Sequence, residues 1–454
     1  MSSRERADTM QDMENGDDKE ATAPSTAVQH WTVGLTCVAI VATGYLVAGL
    51  LHEREPELTT APITPTTSEP PPEPAEYSYV TPPVTFPAQI PGCDVVEPPQ
   101  PGQGFSMVTL EEPGYDNPSY PWFSGPKAVS MTQALRAALP AGVEIAFAPV
   151  DRSLVFQPIL DDPTEDKRFG GWTDARATLL RGDRSGSLSV NVRESTMPIP
   201  PCVAGDLDER RRLPDGTIVD THDTWSETNG IRALWYSATA YLPDGSVAHA
   251  YATDDAADGS GQTGTVPLTI DDLVALVTVP GIRVTAPVPP GTPNPPESCD
   301  IWAESSPAID QPQARRWDAV LAQIPLDGLT LDPPLGALLP ASSGGACQAV
   351  RVTTPGRQSR LSVAITTGQP LPQELSSDDG ATSRRLPDGT VVETRESRST
   401  VMEPSPSTQT TRTVTVTRPS GTRIQVTSGD GPAEPLPFEL LEAIASIPGL
   451  EVSR

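Results

Sequence analysis

The sequence predicts an α+β fold used twice in a membrane-anchored tandem duplication. Each repeat is expected to be an antiparallel β-meander sheet with an N-terminal and a C-terminal helix packed on one face. Three observations carry this. Arg211-Arg212-Leu213-Pro214-Asp215-Gly216-Thr217 returns as Arg384-Arg385-Leu386-Pro387-Asp388-Gly389-Thr390, at an offset of about 173 residues. Alternating β-rich runs follow each copy, and amphipathic helical patterns bracket each copy.

The repeated stretch is turn chemistry. Pro sets φ at the second turn position, Asp bonds back to its own backbone, and Gly takes the positive φ that closes the turn. From Thr217 the chain alternates as an antiparallel strand with one wet side does. A second turn follows in each copy, Leu242-Pro243-Asp244-Gly245 and Arg418-Pro419-Ser420-Gly421.

Taken in order, residues 1–30 are polar and acidic with no apolar periodicity, and read as a cytoplasmic disordered tail. Residues 31–51 carry no charge over 21 positions, about 31 Å as a helix, enough to cross a bilayer core of roughly 30 Å. Arg4, Arg6 and Lys19 precede the span and only Arg54 follows closely, which favours the N-terminus inside and the rest extracytoplasmic. A cleaved signal peptide is the competing reading, since Val47-Ala48-Gly49 offers small residues; a leader of thirty residues with an acidic excess, and the length of the apolar run, argue against it. Cys37 lies inside the apolar run, where it reads as a small apolar residue rather than a lipid anchor. Residues 52–91 are a Pro-rich extracytoplasmic stalk.

The first α+β repeat is expected over 92–285, a Pro-rich linker over 286–298, and the second repeat over 299–454. The opening helices show apolar stripes at Met131, Leu135, Ala138 and Leu139, and at Trp317, Val320, Leu321 and Ile324, stopped by Pro140 and Pro325. The closing helices carry Ile270, Leu273, Val274 and Val277 in one copy and Phe438, Leu441, Ile444 and Ala445 in the other. Thr269 with Asp272 resembles a capping box.

A net charge of -28 argues against nucleic acid and anionic surfaces as partners. Basic residues are nearly all Arg, and with its Ala, Pro and Asp the composition resembles that of high-GC actinobacterial proteins. Cys93, Cys202, Cys299 and Cys347 lie beyond the span, two per repeat, and are expected to form one disulfide within each. With no Cys-x-x-Cys pair, and only His222 and His249 in the two repeats, neither a metal site nor any cofactor is expected.

No nucleophile motif of the Gly-x-Ser-x-Gly type occurs. Asp254, Asp255 and Asp258 miss the calcium-loop spacing and read as an acidic loop. His222, Asp223 and Ser226 sit on an alternating strand and read as a solvated face. Arg181-Gly182-Asp183 reads as a strand turn. The candidate binding residues are Tyr115, Tyr120, Trp122 and Phe123, on a Pro-rich loop found only in the first repeat. They could stack on sugars or anchor a protein, or fold back into the core. The expected function is therefore non-catalytic binding or scaffolding in the cell envelope, toward a wall polymer or envelope protein. A sensory or regulatory ectodomain of a membrane complex is the alternative, and an envelope hydrolase comes third.

Overall fold

The computed structural model describes residues 78–99, 114–160, 171–297, 299, 306–326, 328–354, 357–372, 381–401, 407–429 and 434–452. The expected tail, the apolar segment 31–51 and most of the stalk lie outside them. Among the described residues no helix is long and apolar enough to cross a membrane.

The chain is mostly β, with two large antiparallel sheets and few helices. In order it forms β1 (Tyr79–Val80), β2 (Val96–Glu97), α1 (Gly125–Ala137), β3 (Glu144–Ile145), β4 (Trp172–Arg181) and β5 (Arg184–Glu194). There follow β6 (Cys202–Val203), β7 (Glu209–Arg212), β8 (Ile218–Thr228), β9 (Ile231–Tyr241), β10 (Ser246–Thr253) and α2 (Ile270–Val277). The second half gives α3 (Gln311–Leu321), β11 (Thr330–Asp332), β12 (Leu339–Pro340), β13 (Ala346–Thr354), β14 (Arg357–Thr366) and β15 (Ala381–Arg385). It closes with β16 (Val391–Val401), β17 (Ser407–Thr417), β18 (Arg423–Gly429) and α4 (Phe438–Ala445).

The two sheets have corresponding strand orders. The first runs β3-β4-β5-β10-β9-β8, with β7 and β1 both on the outer edge of β8; the second runs β11-β13-β14-β18-β17-β16-β15. The expected meander therefore needs correcting. It holds for β7–β10 and β15–β18, but β5 pairs with β10 and β14 with β18, so the β4–β5 and β13–β14 hairpins attach beside the last strand. The cause is the crossover after β5, which carries the chain to the far edge and bears Cys202 on the way.

Local chemistry sets the elements. Leu213 N–H donates to Thr217 O, Gly216 N–H donates to Leu213 O, and Asp215 accepts from Thr217 N–H; Leu386, Thr390, Gly389 and Asp388 repeat this pattern. Gly216 and Gly389 both sit at φ +87, the left-handed position that ends a three-residue hairpin loop. The flanking Arg ties each hairpin to the closing helix of its repeat. Arg211 bonds Asp271 on α2 at 2.6 Å, and Arg384 pairs with Glu442 on α4. Thr269 and Asp272 make the expected reciprocal capping box.

Both helices of each repeat pack on one sheet face. Met131, Leu135, Leu273, Leu276 and Val277 share a core with Leu179, Leu188, Val190 and Val192. Trp317, Leu321, Leu441 and Ile444 do the same with Val350, Val363, Val414 and Val426. In the first sheet, Ala175, Ala177, Ala238, Ala240, Ala248, Ala250 and Ala252 are buried on that face, and their small side chains let the helices approach closely. Disulfides join Cys93 to Cys202 and Cys299 to Cys347, one in each repeat as expected. Residues 78–91, within the expected stalk, lie on the first repeat: Tyr79 pairs with Thr228, and Ile90 is buried beside Cys202.

Candidate functional site

The four aromatic residues singled out from sequence come together, but they point inward. Phe123 is 2% exposed, and Tyr115, Tyr120 and Trp122 are half-buried against the same core. The Trp122 and Phe123 rings meet edge to face at 5.3 Å, and Tyr115 Oη donates to Phe156 O at 3.1 Å. Burial, with Glu297 nearby, pushes the Tyr115 phenol well above its ordinary range. The reason is local. Phe123 directly precedes Ser124, the N-cap of α1, and is buried together with Ala128 one turn in, as a hydrophobic staple requires. The loop is thus a plug in the first core.

The acidic loop is organised by backbone. Asp254, fully buried, accepts from Leu234 N–H at 2.9 Å and from Gly264 N–H at 3.0 Å, while Asp258 accepts from Ser260 N–H. Among the described residues no cluster of His, Cys, Asp or Glu is arranged to hold a metal ion. His222 lies 3.2 Å from Asp208 on the sheet face, and Arg181 bonds Asp272 and Pro267 O, tying the β4–β5 turn to α2.

The arrangement that can hold a ligand is the face of the first sheet turned away from the helices. Strand register lays it out in rows. Trp172, Arg193, Val247, Tyr241 and Ile218 form one row, and Asp174, Asn191, His249, Thr239 and Asp220 the next. Arg176, Ser189, Tyr251, Ser237 and His222 follow, then Thr178, Ser187, Thr253, Trp235 and Thr224. Trp172, Asn191, Arg193, Thr239, Tyr241, Val247 and His249 line a pocket of about 440 Å³ in the first two rows. Further along the same face Trp235, Ile231 and Tyr79 are 40%, 64% and 55% exposed.

Apart from the Arg193 guanidinium, its polar groups are neutral. Thr239 Oγ1 and His249 Nδ1 share a hydrogen bond of 2.8 Å, and burial together with the Arg193 charge lowers the His249 pKa, which keeps the ring uncharged. Burial and the neighbouring Asp220 push Tyr241 up to about 12, so it stays a phenol. The charges at the border are paired: Arg210 bonds Asp220 at 2.6 and 2.7 Å, and Arg176 meets Asp174 at 2.5 Å. Desolvation raises the Asp174 pKa, with Arg176 opposing it.

The second sheet has a pocket on the corresponding face, lined in part by Glu393, Arg395, Thr413, Thr415, Arg423 and Gln425. By register, Gln425 stands where the first sheet has His249, Thr417 where it has Tyr241, Thr427 where it has Tyr251 and Thr411 where it has Trp235. The aromatics at these positions belong to the first repeat. Sequence reasoning passed over them although the signal was there: Trp235, Thr239 and Tyr241 alternate with Ala238 and Ala240, and His249 and Tyr251 with Ala248, Ala250 and Ala252. A run of small residues at every second position marks the core side and leaves the large rings to the other.

No family model matches the chain, and no curated protein matches it. Among solved structures, the di-domain ARO/CYC StfQ from the steffimycin biosynthetic pathway is 11% identical, with a TM-score of 0.14, covering 71% of this chain and 84% of that one. MucB in complex with MucA is 9% identical, with a TM-score of 0.13, covering 62% of this chain and 93% of that one. At these scores neither likeness bears on fold or function.

Proposed function

We propose that this chain is a single-pass membrane protein whose duplicated extracytoplasmic region binds or scaffolds a component of the cell envelope without catalysing a reaction. The observation that carries the reading is the aromatic, hydrogen-bonding pocket on the helix-free face of the first sheet. Its groups are suited to holding: an uncharged imidazole with Nδ1 engaged, a phenol that stays protonated, and ring faces beside them. One disulfide in each repeat is what an oxidising compartment favours. The uncharged run at 31–51 has the length of a bilayer span.

Retention on isolated cell walls tests the binding. The full chain, solubilised in mild detergent, is expected to co-sediment with walls, and a Trp235→Ala, Tyr251→Ala double variant is expected to stay in solution. A Phe123→Ala, Trp122→Ala variant cannot serve, because it opens the core. Recovery of the chain in the supernatant after alkaline carbonate extraction of membranes would remove the anchoring half of the proposal.

A further inference from the structure

We infer that the helix-free face of the first sheet takes a neutral, polyhydroxylated ligand, a short run of sugar units in a glycan. One unit would sit in the pocket lined by Trp172, Tyr241 and His249, and further units would lie along the face toward Trp235. The inference rests on the binding function proposed above and names the ligand class of that site.

Sugar rings present apolar C–H faces and a rim of hydroxyls, so their recognition needs aromatic surface beside neutral donors and acceptors. The first two rows supply both. Trp172 and Tyr241 are half-buried at the pocket wall, while Asn191, Thr239 and His249 offer amide, hydroxyl and imidazole groups between them. His249 and Tyr251 rings lie 6.3 Å apart on neighbouring rows, which extends the aromatic surface out of the pocket. Tyr241 and Trp235 are six residues apart on one strand and face the same side, so about 20 Å separates the two ends at roughly 3.4 Å per residue. That is a platform for a chain of several rings rather than for one.

Charge narrows the class. The carboxylates of this face in the pocket's own rows, Asp174 and Asp220, are matched by Arg176 and Arg210; Arg193 adds one positive charge to the lining, room for a single anionic group at most, while a molecule of net charge -28 repels a polyanion. An anionic wall polymer or nucleic acid therefore has little to gain. The second repeat shows what the site loses without its rings: Thr411, Thr417 and Thr427 in place of Trp235, Tyr241 and Tyr251 leave a polar face with nothing to stack on.

The test uses the full chain in mild detergent and four probes: maltohexaose, cellohexaose, chitohexaose and, as the anionic control, polygalacturonic acid, each titrated by calorimetry. At least one neutral hexasaccharide is expected to bind and the polyanion is not. Trp235→Ala is expected to weaken binding about fivefold to tenfold, the loss of one stacked ring. His249→Gln, which installs the second repeat's residue, is expected to weaken it similarly, and Thr411→Ala in the second repeat to leave it unchanged. Binding that survives both Trp235→Ala and His249→Gln overturns the location. No neutral glycan bound while whole walls still retain the chain overturns the sugar assignment and leaves envelope binding standing; loss of both overturns both.

Discussion

Lys127 is one of three lysines in the chain and is 2% exposed, with Nζ donating to Arg283 O at 2.8 Å and to Ala286 O. Burial lowers its pKa to about 8, against a smaller opposing pull from Asp244. The unfolded chain binds this proton first as pH falls, so the contribution of Lys127 to stability is complete above its unfolded pKa of about 10.5 and is lost as pH drops through about 8. Urea denaturation of the native protein and of Lys127→Met should show the native one gaining about 2 kcal/mol on the variant between pH 7 and pH 9.5, at roughly 1.4 kcal/mol per pH unit. A constant difference across that range would mean the ammonium is not desolvated. Two aromatic residues give a second contrast at this scale. Phe123→Ala should cost about 3–5 kcal/mol, because it leaves a large cavity, whereas Trp235→Ala should leave the melting temperature nearly unchanged because its ring faces solvent.

At the scale of elements, what could be read from sequence was whatever is decided locally. The capping box at Thr269, the alternation in β17 and the turns at Gly216 and Gly389 depend on neighbours within a few residues and stand in the structure; the opening helices end at Ala137 and Leu321, short of Pro140 and Pro325, so Ala138, Leu139 and Ile324 of the expected stripes lie past them. The pairing of β5 with β10 depends on a crossover that no local pattern encodes. The inward turn of the aromatic loop was open for the same reason, since an aromatic residue before an N-cap can face either way until a core exists. The two hairpins now make a matched prediction. Gly216→Ala and Gly389→Ala each force a side chain into φ +87 and should each cost about 1–2 kcal/mol, read from thermal denaturation. Each added Cβ would come no nearer than 3.5 and 3.4 Å to Pro243 and Pro419, so the cost is backbone strain and not collision.

Across the whole molecule, two sheets of one strand order are held by unlike covalent ties. Cys93 and Cys202 close a loop of 109 residues, Cys299 and Cys347 one of 48. Removing the first by Cys93→Ser, Cys202→Ser should cost about 5 kcal/mol and removing the second about 4 kcal/mol in the chain-entropy picture, compared by denaturant midpoints under oxidising conditions. A larger loss from the second would show that strain or residual structure outweighs loop length.

The place where the chain enters the first sheet gives it a mechanical character. Ser78 exchanges hydrogen bonds with Asn229, and β1 holds to β8 by only two residue pairs. A pull from the N-terminal side loads those few bonds first. The twelve residues 78–89 would then run out, at most about 40 Å of chain at roughly 3.3–3.6 Å per residue, up to Ile90, buried beside Cys202, and Pro91, whose carbonyl accepts from Arg210 N–H; the link from Cys93 to Cys202 bounds any further run. An oxidised molecule held by its ends should lengthen in a first step shorter than that contour, since the folded segment already spans part of it, and a reduced one should run on past Cys93. The first strand is in that sense a spring with a covalent stop, and because Tyr79 stands on the same face as Ile231 and Trp235, its release would take one ring from the face proposed to hold the ligand.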